Sequence, residues 1–284
     1  MPIGWDHPDT ARYYEAFNRQ QPRYAVANRA LIAAAALRPG LRVLDLGAGT
    51  GSTAEAVLEY GVKVTCIEPA LAMRQVGESR VPQARWIDAW PEDRNAFDRV
   101  LCGASIWQML PLDATFARAA SALRAGGALV FNIPSLYLGE ADPPGSEPDP
   151  YLLELVGKLS AGRALKVSPA DAVPPAGEID ALLAAAGFDS SHWGFRARLT
   201  QAELRDWMKI PVLTDALLNG VPADDRASLV DAAYAQSAIP QAGGGKLGRG
   251  GRHGNGQAAG LLVPARIAEW RPGCKISRGG YGNL

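Results

Sequence analysis

This chain has no excess of positive or negative charge, because its 29 Lys and Arg residues balance its 29 Asp and Glu residues. Nothing in the overall composition therefore points to nucleic acid or to an anionic membrane surface. Cysteine is also scarce, and three residues without paired spacing exclude a disulfide framework. Because Cys66 and Cys102 lie inside apolar runs, we interpret them as buried thiols in a reducing, cytoplasmic compartment.

Long hydrophobic runs are missing as well. The first ten residues, MPIGWDHPDT, lack a basic region followed by an apolar one, so no signal peptide is expected. The alanine-rich run near residue 30 is too short for a membrane span and is interrupted by Asn28 and Arg29. The chain does have 48% hydrophobic residues over 284 positions, which is enough for the core of one elaborated α/β domain.

Short apolar runs alternate with helix-like segments in the first half of the chain. The strand-like runs cover residues 43–46, 62–67, 85–87, 99–102 and 128–133. Strands that alternate with helices at this spacing predict βαβ units, which give a mostly parallel, Rossmann-like sheet with helices on both faces.

The composition divides the chain into five segments. We expect an N-terminal helical cap, the sheet-forming core, an insertion after the fifth strand, the rest of the core and a Gly-rich basic tail, at residues 1–40, 41–135, 136–178, 179–240 and 241–284. Because the tail has low complexity, we predict that it is unstructured and that a chain truncated after Gln241 still folds.

The stretch VLDLGAGTG places a glycine cluster between a strand and a helix. Such a loop lets a ligand approach the backbone at Gly47 and Gly49 and presents amide groups at a helix N-terminus. Three acidic residues accompany it, since Asp45 lies in the first strand and Glu68 and Asp88 end the next two. Parallel strands bring these carboxylates to one edge of the sheet, where ligands of such folds bind.

A dinucleotide site is the first alternative for this loop. That site requires Gly-x-Gly-x-x-Gly, and the sixth position counted from Gly47 is Ser52. Three carboxylates would also repel a pyrophosphate. The acids instead suit a ligand that carries a positive charge and a ribose.

At this point the motifs themselves resemble a known family. VLDLGAGTG, IEPALAM, WIDAWPED, FDRVLCGASIWQM and LRAGGALVFN resemble the successive motifs of class I S-adenosylmethionine-dependent methyltransferases. The resemblance covers residues 10–135 well and residues 178–236 loosely. It implies a seven-stranded, mostly parallel sheet with a reversed last hairpin, for which residues 260–270 are a poor match to the final strand.

The resemblance also implies a cofactor site for S-adenosylmethionine and its product, S-adenosylhomocysteine. Asp45 would steady the glycine loop, Glu68 would bind the ribose hydroxyls and Asp88 would bind the adenine amine. The other cofactor-binding residues implied are Tyr13, Tyr14, Gly47, Ala48, Gly49, Pro69, Met73, Ala89, Trp90, Cys102 and Gly103.

The function that follows is methyl transfer to a small organic acceptor by in-line displacement. Trp107 and Gln108 follow the fourth strand and are predicted to contact the acceptor. His7 is the candidate for a general base, with a packing role as the alternative, and no metal is expected. Two other functions stay open: an NAD-dependent oxidoreductase, and a non-catalytic protein that binds S-adenosylmethionine and touches RNA through its basic tail. The acceptor, the methylated atom and the oligomeric state are left open.

Overall fold

Seven strands form one sheet in the computed structural model, which describes residues 3–134, 155, 158–159, 173–198, 201–218, 220–236 and 260–270. The strands are β1 (Arg42–Leu46), β2 (Lys63–Ile67), β3 (Arg85–Ile87), β4 (Phe97–Cys102), β5 (Leu123–Asn132), β6 (Phe188–Arg198) and β7 (Gly260–Trp270). Across the sheet their order is β3-β2-β1-β4-β5-β7-β6.

Helices connect and flank these strands. They are α1 (Pro8–Gln20), α2 (Arg23–Ala34), α3 (Ser52–Leu58), α4 (Leu71–Arg80), α5 (Leu112–Ala122), α6 (Ala176–Ala185), α7 (Gln201–Met208), α8 (Pro211–Leu218) and α9 (Ala223–Gln236), with a 3₁₀ turn at Ile106–Gln108. Within the described ranges, none of the helices has the length and apolar character needed to cross a bilayer.

Parallel pairing joins the first five strands. β1 pairs with β2 and β4, β2 pairs with β3, and β4 pairs with β5. The predicted Rossmann-like α/β architecture is confirmed, but its parallel part contains five strands, not seven. β7 runs antiparallel to both of its neighbours, β5 and β6.

The position of β7 differs from the sequence prediction for the tail. The sequence allows two interpretations of residues 260–270, part of an unstructured tail or a poorly matching final strand, and in the structure they fill an internal place in the sheet. Asn132 pairs with Ala265 on one side, and Phe188 pairs with Trp270 on the other. The Gly-rich sequence before this strand favours an unstructured tail. Local composition carries no information about pairing with strands that are far away in the chain. The rest of the predicted tail lies outside the described residues.

Apolar side chains leave the central strands on alternating faces, as the period of a strand requires. Val43 and Val130 pack with the α2 and α3 side, where Leu31 is fully buried. Leu44 and Phe131 pack on the opposite face with α5 and α6, against Phe116. Both faces of the sheet are therefore covered by helices, as expected for a largely parallel sheet.

A third apolar cluster joins α7, α8 and α9. Leu155 and Leu159, in the predicted insertion, are buried in this cluster, while most of residues 136–178 lie outside the described part of the chain. Arg226 of α9 is 1% exposed and donates hydrogen bonds to the carbonyls of Val221 and Pro211 and to Asp215. These bonds satisfy a buried guanidinium that would otherwise destabilise the fold.

The N-terminal segment is held to two parts of the chain. The Ile3 amide donates to Asp215 of α8 at 3.1 Å, and the Ala72 amide of α4 donates to Asp6 at 3.2 Å. Farther along α1, Arg80 of α4 bonds Glu15 at 3.0 Å. The segment therefore lies across the carboxyl-end edge of the sheet, between α4 and the third cluster.

Candidate functional site

A cavity of about 220 Å³ opens at the carboxyl ends of β1, β2 and β4. Gly47 and Gly49 border it after β1, Glu68 after β2, and Gly103 after β4. α1 and α7 contribute the opposite side through Tyr14 and Trp207. The sheet thus supplies one wall, and the helices that flank it in sequence supply the other.

The loop after β1 contains glycines in the left-handed region. Gly47 has φ 68° and Gly49 has φ 57°, which other residues adopt only with strain. A Cβ at Gly47 would come within 2.6 Å of Met109 Cε and Ser105 Oγ, so a side chain there would have to displace both groups. A Cβ at Gly49 would lie 3.5 Å from Met73 Cε and 3.8 Å from Tyr14 Cε1. The loop therefore presents bare backbone to the cavity.

Glu68 supplies a carboxylate to the cavity immediately after β2. Its Oε2 accepts a hydrogen bond from the Gly49 amide at 2.7 Å, and its Oε1 accepts one from the Ala70 amide at 2.9 Å. Burial raises the pKa of Glu68 above its ordinary value, although these amides and Arg74 favour the ionised form. Each carboxylate oxygen has a second lone pair, so both can still accept a bond from a ligand.

Asp45 lies beneath the glycine loop and is 1% exposed. Burial, with a further contribution from the charge of Glu68, raises the pKa of Asp45 to about 7, and a backbone hydrogen bond with Ala54 acts in the opposite direction. Within the described residues, its Oδ2 has no hydrogen-bond partner. A buried carboxylate oxygen without a partner is costly, so a group that donates to it would be stabilised there.

The segment after β4 is held in a strained turn. Ala104 has φ 54°, and its amide donates to Asn132 Oδ1 at 2.6 Å. Ser105 Oγ donates to the Leu46 carbonyl at 3.2 Å, which ties this turn to the end of β1. The turn carries Trp107 and Gln108 to the cavity. Strained backbone of this kind often accompanies a binding site.

Aromatic rings form the remaining wall, which we call the aromatic wall and define as Trp5, Tyr14, Tyr24, Trp107 and Trp207. Tyr14 packs edge-on against Trp5, with ring centroids 5.7 Å apart, and tilted against Tyr24 at 5.4 Å. Trp207 Nε1 donates to the Tyr24 hydroxyl at 3.1 Å. These contacts fix the rings relative to one another.

Comparison with known proteins places the chain in a family. The family described as "Methyltransferase domain" matches residues 17–192, which is more than half of the chain. The chain belongs to the class I S-adenosylmethionine-dependent methyltransferase family. The match covers the glycine loop, Glu68 and the turn after β4.

Individual relatives are methyltransferases too, and their names give different substrates. The chain is 29% identical to a demethylmenaquinone methyltransferase of Renibacterium salmoninarum over 40% of this chain and 55% of that protein. It is 31% identical to a trans-aconitate 2-methyltransferase of Paracidovorax citrulli, over 43% of this chain and 48% of that protein. The chain thus spans about half the length of these curated relatives.

A solved structure shares the fold. Phosphoethanolamine N-methyltransferase 2 of Haemonchus contortus superposes with a TM-score of 0.51 at 18% identity, over 86% of this chain and 52% of that one. At this identity the similarity establishes the methyltransferase fold alone.

Many of the residues predicted for a methyltransferase cofactor site border the cavity. They are Tyr14, Gly47, Gly49, Glu68, Pro69, Met73 and Gly103, and the two predicted acceptor contacts, Trp107 and Gln108, border it as well. The structure brings these side chains and backbone segments together, and their roles toward a ligand stay predictions.

Other predicted residues of the methyltransferase lie elsewhere. Tyr13 projects from α1 about 100° away from Tyr14, as adjacent residues on a helix do, and its hydroxyl donates to Asp224 at 2.9 Å. Asp88 and Ala89 are exposed after β3 and do not border the cavity. Trp90 packs against the apolar cluster beside α5. None of these four borders the cavity, so their predicted contacts with adenine or sulfonium remain predictions that the cavity does not support.

Three more of the predicted site residues do not border the cavity, because two are buried in the core and one caps a helix. Ala48 is 8% exposed and packs on the α2 and α3 side of the sheet. Cys102 is fully buried at the end of β4, and burial raises the pKa of its thiol to about 12. His7 does not border the cavity but caps α1, where its Nδ1 accepts a hydrogen bond from the Asp9 amide at 3.2 Å. Its position gives it a structural role, while a role as general base stays a prediction.

Sequence reasoning missed several residues that border the cavity. They are Trp5, Tyr24, Ala70, Ala104, Ser105, Met109, Trp207 and Leu213. Ala70 and Ser105 follow the predicted strands closely, so their positions carried a usable signal. Tyr24 and Trp207 are far apart in the sequence, and only tertiary packing brings them together.

Proposed function

We propose that this chain is a methyltransferase that uses S-adenosylmethionine to methylate a small organic acceptor and releases S-adenosylhomocysteine. The observation that carries the proposal is the arrangement of the bare glycine loop and the Glu68 carboxylate around one cavity, at the edge where parallel sheets bind ligands. Family membership supports the same reaction.

The residues at the cavity fit this cofactor. The backbone of the loop at Gly49 leaves room for the donor, and the free lone pairs of Glu68 suit a ribose diol. Met73 and Pro69 border the cavity beside Glu68 and offer apolar contacts to adenine. The unpartnered Oδ2 of Asp45 lies behind the loop, where its charge would stabilise the cationic end of the cofactor.

The charges at the cavity favour a cationic donor over a dinucleotide. Glu68 is a carboxylate at the cavity, and no lysine, arginine or histidine borders it within the described residues. A pyrophosphate would therefore find no positive partner. Tyr14 lies against the glycine loop, and the face of an aromatic ring attracts a sulfonium as it attracts other cations.

The chain itself contributes alignment and exclusion of water. S-adenosylmethionine supplies a methyl group on a positively charged sulfur, and the acceptor atom bonds to that carbon as the carbon–sulfur bond breaks. The glycine loop and Glu68 hold the donor on one side, and the aromatic wall holds the acceptor on the other. Among the described residues that border the cavity, Glu68 is the only carboxylate that could serve as a general base, and it already accepts hydrogen bonds from two amides. We propose that the acceptor atom attacks through a lone pair without help from a base of the protein, and that any proton it carries passes to water as the methyl group is transferred.

Calorimetry on the full chain tests the proposal. S-adenosylhomocysteine should bind, whereas NAD should not, because the cavity offers no partner for a pyrophosphate. Transfer of an isotope-labelled methyl group into an extract of the source cells, followed by mass spectrometry, should then identify the acceptor. Binding of NAD without binding of S-adenosylhomocysteine would overturn the proposal.

A substitution at Glu68 tests the proposed contact with the ribose most directly. Glu68→Gln removes the charge that accepts the ribose hydroxyls, and charge-assisted hydrogen bonds contribute about 1.5–3 kcal/mol each. Affinity for S-adenosylhomocysteine should therefore fall roughly tenfold or more, with little loss of secondary structure by circular dichroism. Glu59→Gln, at an exposed position at the end of α3, is the matched control and should leave affinity unchanged. Equal affinities of the two variants for S-adenosylhomocysteine would show that Glu68 does not bind its ribose hydroxyls.

A further inference from the structure

The aromatic wall contains one hydrogen-bonded pair with a proton left to donate. Trp207 Nε1 of α7 donates to the Tyr24 hydroxyl of α2 at 3.1 Å, so the Tyr24 oxygen serves as an acceptor in that bond. A tyrosine hydroxyl can accept and donate at once. Because Tyr24 borders the cavity and its hydroxyl has no second partner within the described residues, that proton is available to a molecule in the cavity.

The charge behind the aromatic wall disfavours a cation. The guanidinium of Arg23 lies over the ring of Trp207, 4.8 Å from its centroid, and Arg23 itself does not border the cavity. The negative face of that ring is therefore already used by one cation. A second cation held against the same ring would be repelled by the guanidinium.

The cavity disfavours an anion for a different reason. Within the described residues no lysine, arginine or histidine borders it, while the Glu68 carboxylate does. A carboxylate or phosphate on the acceptor would lose its hydration without gaining an ion pair. An uncharged acceptor is the class that meets neither penalty.

The shape of the aromatic wall favours a flat acceptor. Trp5, Tyr14 and Tyr24 are packed through contacts of 5.4–5.7 Å between ring centroids, which leaves them little freedom to rearrange. Flat rings bury most area against such a surface and gain from edge and offset stacking. An extended aliphatic chain gains less from fixed rings.

We infer that the aromatic wall binds an uncharged, planar acceptor whose oxygen or nitrogen atom accepts a hydrogen bond from the Tyr24 hydroxyl. This inference rests on the proposed function, which places the methyl donor on the opposite side of the cavity. Tyr24 is then a specificity-determining residue, and the Trp207 indole orients its hydroxyl.

Three probes that share one ring system test the charge preference. The full chain is saturated with S-adenosylhomocysteine and titrated with 2-acetylnaphthalene, 2-naphthoate and 2-naphthylmethylammonium, with quenching of tryptophan fluorescence and calorimetry as readouts. The neutral ketone should bind at least roughly tenfold more tightly than either ion. Tighter binding of the ammonium would indicate an aromatic cage for cations, and tighter binding of the naphthoate would indicate an anion site. Either result overturns the inference.

Two tyrosine variants test the hydrogen bond. Tyr24→Phe should weaken binding of the ketone about three- to tenfold and leave binding of unsubstituted naphthalene unchanged, because only the ketone accepts the lost bond. Tyr60→Phe is the matched control, since Tyr60 is 44% exposed and does not border the cavity. Equal loss for ketone and naphthalene would mean that Tyr24 only shapes the wall, which contradicts the assigned role.

The affinity for S-adenosylhomocysteine distinguishes a failure of the proposed function from a failure of the inference about the acceptor. Both tyrosine variants should bind it as the wild type does. If the wild type does not bind it, the proposed function fails. If the wild type binds it and none of the naphthalene probes, the proposed function stands and the inference about the acceptor fails.

Discussion

Replacing Asp45 by Asn should stabilise the folded chain, and the gain should increase with pH. Asp45 is 1% exposed, and burial together with the charge of Glu68 raises its pKa from 3.8 to about 7. Between these two values the folded chain holds a proton that the unfolded chain has released, so stability falls as the pH rises through this window. Above about pH 7 the buried carboxylate is charged, and the whole loss is present.

The size of the effect follows from the two pKa values. About three pH units separate 3.8 from about 7, and at about 1.4 kcal/mol per unit they correspond to about 4 kcal/mol. Asn resembles the protonated carboxyl and does not titrate. The gain for Asp45→Asn should therefore be below about 1 kcal/mol at pH 4 and about 4 kcal/mol at pH 8.

Urea unfolding of the wild type and the variant at pH 4 and pH 8 measures this difference. Asp93→Asn is the control, because Asp93 is exposed and its replacement should leave stability unchanged at both values. A variant that loses the same stability at pH 4 and at pH 8 would refute the reasoning, because it would show that the contacts of Asp45 outweigh the cost of its buried charge.

The same substitution should act on the cofactor. A cation bound near Asp45 favours the ionised carboxylate, so S-adenosylmethionine should bind the wild type more tightly at pH 8 than at pH 6. Asp45→Asn should bind more weakly at pH 8 and lose most of this pH dependence. A wild-type affinity that does not change with pH would mean that Asp45 does not sense the ligand.

Two further predictions concern the ends of the chain. A chain that ends after Gln236 lacks β7, so it should be insoluble or show no cooperative unfolding, whereas a chain that ends after Trp270 should unfold cooperatively; the reverse result would place β7 outside the fold. S-adenosylhomocysteine should slow proteolytic cleavage within residues 3–9, because Trp5 and Tyr14 border the cavity, and mass spectrometry of the fragments should show no protection in Glu68→Gln at the same ligand concentration.

The sequence was sufficient for the parallel core and for the loop at its edge. The glycine cluster and Glu68 can be recognised from local sequence alone, because the strand, the turn and the start of the helix that define their positions are adjacent in the chain. Tyr13 and Tyr14 could not be separated in the same way, since a helix turns by about 100° per residue and its orientation depends on packing. The structure places only Tyr14 at the cavity.

The aromatic wall could not be predicted and β7 could be named only as a poorly matching candidate strand, for a shared reason. Tyr24 and Trp207 meet across 183 positions of sequence, and β7 pairs with a strand that ends at Asn132. Neither segment carries a motif, and the pairing exists only after the chain has folded. Parts of a site that are built by contacts between distant residues therefore cannot be identified from local sequence patterns.

Tyr14 would link the proposed donor side of the cavity to the proposed acceptor side. Its ring lies near the glycine loop and also contacts Trp5 and Tyr24 of the aromatic wall. The cavity of about 220 Å³ is smaller than the ~300–1,000 Å³ usual for ligand pockets, so we expect its surroundings to move when a molecule of cofactor size enters. Residues 3–7, which precede α1, are attached through polar contacts such as that of Asp6, which exchange with water at little cost. We expect that movement of residues 3–7 would lift Trp5 from Tyr14 and admit the donor, and that its return would restore the aromatic wall for the acceptor, so that cofactor binding and acceptor selection would share one structural element.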